Sequence, residues 1–292
     1  MRHPIRYSLE YVLARIFWAL FSFLPSSVAS SLGGVIASMV GRALSLAERV
    51  DRNLKSAMPE LTGAERRKIA SGVWWNLGRT LAELPHIKNF SLTLDPPSQG
   101  QIQVVGAEHI NSSDGTLFFA AHLANWEMTY FVSSKLGYPM HVVFRAPNNP
   151  LIDSWLSKLR REFTLGAYPK GRMAARGILA AFDQGHSVGM LVDQKMNDGI
   201  AVPFFGRPAM TAPALAQLAL RRKLVVTPMR LERLTGASFR VTIEKPLTYR
   251  DTGRGDADVL ALMGQVNDRI EAWIRERPDQ WLWPHNRWPS SD

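Results

Sequence analysis

The sequence predicts an α/β fold, a mixed central sheet flanked by helices, preceded by an N-terminal apolar helical segment that associates with a membrane. Three observations predict it. Short β-branched and aromatic runs alternate with longer amphipathic ones from residue 101 onward. The first 46 residues are unusually apolar for a surface region. No stretch is polar or repetitive enough to stand outside a packed domain. With 292 residues, 46% of them hydrophobic, the chain can bury a large core. The division expected is a membrane-associating segment at 1–46 and an α/β domain at 47–292.

Tyr11 to Leu24 reads YVLARIFWALFSFL, broken by Arg15 and stopped by Pro25. As a helix it reaches roughly 21 Å, short of the ~30 Å hydrocarbon core. Arg15 within the apolar run, with no cleavage site behind it, argues against a signal peptide. Val28 to Leu46 is a second apolar stretch, rich in the Gly, Ala and Ser that let helices approach closely. A buried pair of core helices is the alternative. Trp18, Arg2, Arg6 and Arg15 favour a membrane or its interface.

Residues 62–84 form a helix opened by Thr62 and Glu65 at capping-box spacing and closed before Pro85. Strands are expected at 101–106, 116–121, 141–144, 188–193, 224–231 and 239–244. Helices are expected at 126–136, 151–163, 172–184, 212–222 and 256–277.

The stretch FFAAHLANWEM (118–128) carries the chemistry. His122 and Glu127 would point apart on either an unbroken strand or an unbroken helix. A bend between them, with Asn125 as N-cap and a helix from Trp126, lets them meet. It also sets His122 at the C-terminal end of a strand, where α/β folds bind ligands. A histidine beside a carboxylate is a general base for a hydroxyl, although such a pair alone is more often structural. No serine sits in a G-x-S-x-G elbow and cysteine is absent, so a covalent acyl-enzyme lacks a nucleophile. The absent cysteines also exclude disulfides and thiolate metal sites. The seven histidines are scattered, without metal-ligand spacing. No cofactor is expected. The net charge of +10 calls for an anionic partner, and no nucleic-acid-binding motif accompanies it. Two short matches carry no weight: the sequon Asn111-Ser112-Ser113 lacks a secretion signal, and Arg254-Gly255-Asp256 reads as a loop coincidence.

HLANWE resembles the H-x4-D/E motif of glycerolipid-type acyltransferases, and the chain is similar to the bacterial lipid A biosynthesis (lauroyl/myristoyl) acyltransferases. The resemblance runs from the apolar N-terminus through RNLKSAMPEL (52–61), FRAPNNPLID (144–153), MLVDQK (190–195) and VPFFGRPA (202–209) to WLWPHNRW (281–288). It implies a glycerolipid-acyltransferase-like fold and direct attack by an acceptor hydroxyl deprotonated by His122, with Glu127 essential beside it. Asp193 falls at a third acidic block and competes with Glu127 for orienting His122. Arg145 is implied as a phosphate binder, and Asn125, Arg172, Phe204 and Phe205 join it as substrate-binding candidates, the two phenylalanines being equally good as core. The implied donor is acyl carrier protein, matched by a basic stretch of Lys158, Arg160, Arg161, Lys170, Arg172 and Arg176. The implied acceptor is an anionic glycolipid, a lipid A precursor. The implied place is the inner membrane, with the catalytic domain on its cytoplasmic face. Two other readings stay open: an acyl-CoA-dependent acyltransferase of phosphatidylinositol mannoside or another glycolipid, and a non-catalytic membrane-bound scaffold.

Overall fold

The computed structural model describes residues 4–110 and 115–288. The 111–113 sequon and the Arg172 side chain lie outside the described residues. Four helices open the chain: α1 (Pro4–Ser22), α2 (Ser26–Gly41), α3 (Leu46–Ala57) and α4 (Gly63–Glu83). α4 starts at the expected capping box. Thr62 Oγ1 accepts the Glu65 N–H, and the Glu65 carboxylate accepts the Thr62 N–H at 2.7 Å. α2 and α4 touch backbone to backbone. A Cβ built on Gly78 would lie 2.1 Å from the Gly33 carbonyl oxygen, and one on Gly33 would lie 2.6 Å from that of Gly78. The small residues of α2 thus serve packing within the protein. The apolar run 28–46 is not one helix, because it turns by 92° between α2 and α3. No single helix among the described residues is long and apolar enough to cross a membrane.

The strands follow: β1 (Ser91–Thr93), β2 (Gln101–Val105), β3 (Thr116–Ala120), β4 (His141–Phe144), β5 (Gly166–Pro169), β6 (Val188–Leu191), β7 (Lys195–Phe204), β8 (Arg207–Thr211), β9 (Val225–Arg233) and β10 (Phe239–Ile243). The later helices are α5 (Met128–Lys135), α6 (Pro150–Arg160), α7 (Arg172–Asp183), α8 (Ala214–Arg222) and α9 (Asp256–Glu276). Among the described residues, eight strands form one sheet in the order β1-β2-β10-β9-β3-β6-β4-β5, parallel except for the antiparallel β9–β10 pair. The expected mixed sheet flanked by helices is present.

β3 lies mid-sheet and is buried on both faces. Leu117 and Phe119 enter one core with Val226, Met190 and Trp273, and Phe118 enters the other with Phe131, Met229 and Phe239. This is why its sequence is a continuous apolar run instead of an alternating one. β7 and β8 pair apart from the main sheet, joined by Phe205 and Gly206, both at positive φ (52° and 67°). That two-residue hairpin normally selects small residues. Here the Phe205 N–H donates to Glu271 Oε2 at 2.6 Å, and the ring enters an aromatic cluster with Phe204, Trp283 and Trp288. The cluster decides the two phenylalanines: both are buried core, and the expectation that they line a substrate pocket does not hold.

Candidate active site

β3 and β6 are parallel neighbours, so the residues just past their C-terminal ends come together. His122 follows β3 and Asp193 follows β6. Asp193 Oδ1 lies 2.7 Å from His122 Nδ1, and Oδ2 accepts the His122 backbone N–H at 2.9 Å. Oδ2 also accepts the Trp281 indole N–H at 2.7 Å. A carboxylate only accepts, so the ring proton sits on Nδ1 and Nε2 keeps its lone pair. Nε2 turns toward an open cleft, where the Gln194 amide nitrogen lies 3.3 Å away. Asp193 is fully buried. Burial pushes its carboxyl up, but the charge His122 carries at the acid pH where Asp193 titrates, with the hydrogen bonds from its ring and backbone, outweighs this and holds it well below the usual carboxylate range. Asp193, and not Glu127, is therefore the carboxylate that orients His122.

The loop after His122 is fixed by long-range bonds. Ala124 takes a positive φ of 51°. Its carbonyl accepts from Thr80 Oγ1 at 2.8 Å and Asn76 Nδ2 at 3.3 Å, both on α4. Its N–H donates to the Gln280 carbonyl, and the Leu282 N–H donates to the His122 carbonyl. Helix α4 and the C-terminal segment thus clamp the bend from two sides. The helix then starts at Met128, two residues later than expected, and Asn125 is not its side-chain cap. Asn125 supplies only its backbone carbonyl to the Met128 N–H, while its buried side chain donates to Glu83 Oε2 at 3.0 Å. Buried in this way, it cannot bind substrate as expected. The Glu83 it meets forms a buried bidentate pair with Arg233, which also donates to Asn76 Oδ1. A polar network thereby ties α4, β9 and the loop together under the site.

Glu127 lies in the cleft wall but turns from His122 to Arg160. Arg160 Nη2 donates to Oε1 at 2.7 Å and Nε to Oε2 at 3.0 Å, and the Tyr130 hydroxyl donates to Oε2 at 2.7 Å. Burial raises the Glu127 carboxyl, and Arg160 more than offsets this, leaving it lowered. The same burial and the Glu127 charge push the Tyr130 hydroxyl well up. The guanidinium also stacks over Phe144, 4.6 Å from its centroid. Arg160, read from sequence as part of an exposed basic face, is a largely buried member of the site. Lys158, Arg161 and Arg176 of that stretch are exposed.

Arg145 follows β4 and lines an open cleft of about 410 Å³ with Lys170, His122 and Glu127. A narrower cavity of about 50 Å³ runs beneath Trp126 and Glu127 between the sheet and α5, walled by Phe118, Met140, Val142 and Met229. Sequence reasoning assigned no role to the closing WLWPHNRW. It holds Asp193 through Trp281 and packs Trp281 edge to face against His285, ring centroids 4.9 Å apart, and burial pushes the His285 ring down to about 4. The density of tryptophan there was the available signal.

The family model described as bacterial lipid A biosynthesis acyltransferase matches residues 1–290. The chain is similar to the lipid A biosynthesis palmitoleoyltransferase of Escherichia coli (strain K12), 26% identical over 296 residues, 98% of this chain and 92% of the relative. It is also similar to the lauroyltransferase of the same organism, 26% identical over 299 residues with the same coverage. A lipid A biosynthesis acyltransferase of Haemophilus influenzae is 22% identical over 280 residues, 93% of this chain and 85% of the relative.

Proposed function

We propose, from the premise that this chain belongs to the bacterial lipid A biosynthesis acyltransferase family, that it moves a fatty acyl chain from an acyl carrier protein thioester to a hydroxyl of a lipid A precursor. Its class, an acyltransferase, comes with the family. The observation that carries the mechanism is the bond of His122 Nδ1 to the buried Asp193, which leaves Nε2 facing the cleft as the base.

In this reading the acceptor hydroxyl gives its proton to Nε2 as its oxygen attacks the thioester carbonyl. Asp193 stabilises the imidazolium. The carbon–sulfur bond then breaks, and the proton passes from His122 to the leaving thiolate. Glu127 does not touch the proton; it fixes Arg160 and the cleft wall. Arg145 and Lys170 offer two cations for acceptor phosphate. The narrow cavity beneath Trp126 is almost wholly apolar and shares Trp126 and Glu127 with the cleft, so it suits the start of the donor's acyl chain and must widen to take the rest. The exposed cations Lys158, Arg161 and Arg176 suit an acidic carrier protein.

The proposed place is the inner membrane, with the catalytic domain on the cytoplasmic side; the first two helices support the attachment to a membrane, not its identity or side. Ile5, Leu9, Leu13, Ile16 and Leu20 stand exposed along one stripe of α1, and Val28, Leu32, Ile36 and Met39 along one of α2. So large a bare apolar surface needs a cover. The deciding experiment is mass spectrometry of lipid A from cells with and without the gene. Loss of one acyl chain supports the reading; unchanged lipid A with a deficient mannolipid, or no lipid change, contradicts it.

A further inference from the structure

A second apolar recess opens from the catalytic cleft on the sheet face opposite the narrow cavity. It is a groove of about 430 Å³ between α7 and α8. Ala174 and Ile178 wall it from α7, Leu215 and Leu218 from α8, and Val192 lies in its floor. It joins the cleft at Val143, Lys170, Leu191 and Gln194, residues that line both. Gln194 is the side chain that touches His122 Nε2. The groove therefore begins at the reacting centre.

Its junction is cationic. Lys170 stands where cleft and groove meet, with Arg145 beside it on the cleft wall. Lys170 is exposed at the rim, yet partial desolvation holds it below the ordinary lysine range; the Asp193 charge works against this and the Arg145 charge with it. Two cations set against each other favour an anion between them. The pattern, an anion seat at the mouth of an apolar channel, matches an amphiphile with a phosphate near its alkyl chain.

We propose that the groove between α7 and α8 holds one acyl chain of the anionic acceptor lipid, whose phosphate lies between Lys170 and Arg145. This rests on the acyltransferase reading above, in which the donor chain takes the narrow cavity on the other face. Donor and acceptor chains then leave the reacting centre in opposite directions, and neither blocks the other.

The test uses the full chain in detergent and two variants, Ala175→Trp and Ala214→Trp. Both alanines line the groove and both are exposed, so a large side chain enters the groove without disturbing the core. Circular dichroism and thermal midpoints check that each variant folds. Calorimetry measures dodecyl phosphate, shorter alkyl phosphates and ethyl phosphate. In the unaltered protein each methylene removed is expected to weaken binding about fourfold. Each variant should weaken dodecyl phosphate about tenfold or more, the loss of some two buried methylenes, with ethyl phosphate unchanged. In turnover, the acceptor KM should rise by a similar factor while donor KM and donor chain-length preference stay fixed. The proposal is overturned if dodecyl phosphate binds no better than ethyl phosphate, if both folded variants bind it normally, or if the variants change donor chain preference instead. An unaltered protein that transfers nothing to a lipid A precursor fails the acyltransferase reading separately, and alkyl phosphate binding still decides the groove.

Discussion

Asp193 grips His122 at two points, taking the ring Nδ1–H at 2.7 Å on one oxygen and the backbone N–H at 2.9 Å on the other. They lie 71 positions apart in the chain and are brought together by the parallel pairing of β3 with β6. With the Trp281 indole also on Oδ2, the carboxylate cannot turn away. It sets the ring's plane and tautomer together.

Asp193→Asn tests that grip. An amide keeps the shape but offers N–H on one side, so either the ring proton moves to Nε2 or a bond is lost. Turnover is expected to fall about a hundredfold or more, the worth of a correctly protonated base, with near-normal folding. Steady-state kinetics on the folded variant checks it; less than a fivefold loss would mean that Asp193 is only structural.

Acid should act through the same groups. Burial raises Asp193 and Glu127, yet His122 and Arg160 respectively bring both below their ordinary values. A carboxyl lowered on folding contributes stability that is fully present above its unfolded value, ~4, and is lost as pH falls through its folded value. The gap in thermal midpoint between the native protein and Asp193→Asn is therefore expected to narrow steadily from pH 5 toward pH 3. A constant gap would show that the carboxylate charge contributes nothing.

Arg160→Ala would leave Glu127 and Tyr130 buried without their cation. The expected cost is about 3–5 kcal/mol, as for breaking a buried pair from one side, read from denaturant midpoints. A cost below about 1 kcal/mol would class the pair with exposed ones.

The contrast between Arg160 and its neighbours shows where the sequence stopped being legible. The β3 run, the capping box at Thr62 and the placing of His122 at a strand end could all be read locally, because each depends on residues within one turn or one strand. Arg160 sits among Lys158 and Arg161 and reads as one more surface cation; only the path of α6 past Glu127 turns it inward. Asn125 looks like a cap because caps are recognised by spacing, yet Glu83, 42 residues away, claims its side chain. The β7–β8 hairpin was missed because its turn carries Phe205 where small residues are usual, and its ring is held by tryptophans from the C-terminal segment. The choice between Asp193 and Glu127 likewise depended on strand order, which no local pattern reveals.

Replacing Leu9, Leu13 and Leu20 by serine strips the exposed stripe of α1 and leaves Phe17 and Phe21, which pack inward. The triple variant is expected to move largely from the washed membrane fraction to the supernatant, since interfacial binding scales with buried apolar area. Full retention on membranes would shift the attachment to another surface.

The measurement closest to the central claim is acyl transfer by purified His122→Ala, with a labelled carrier-protein thioester as donor and a lipid A precursor as acceptor. A general base is worth about 10²- to 10⁴-fold, and Gln194, whose amide touches Nε2, cannot replace it. The folded variant is predicted to keep no more than about one hundredth of the native rate. Retention of a tenth or more would contradict the assignment of His122 as the base.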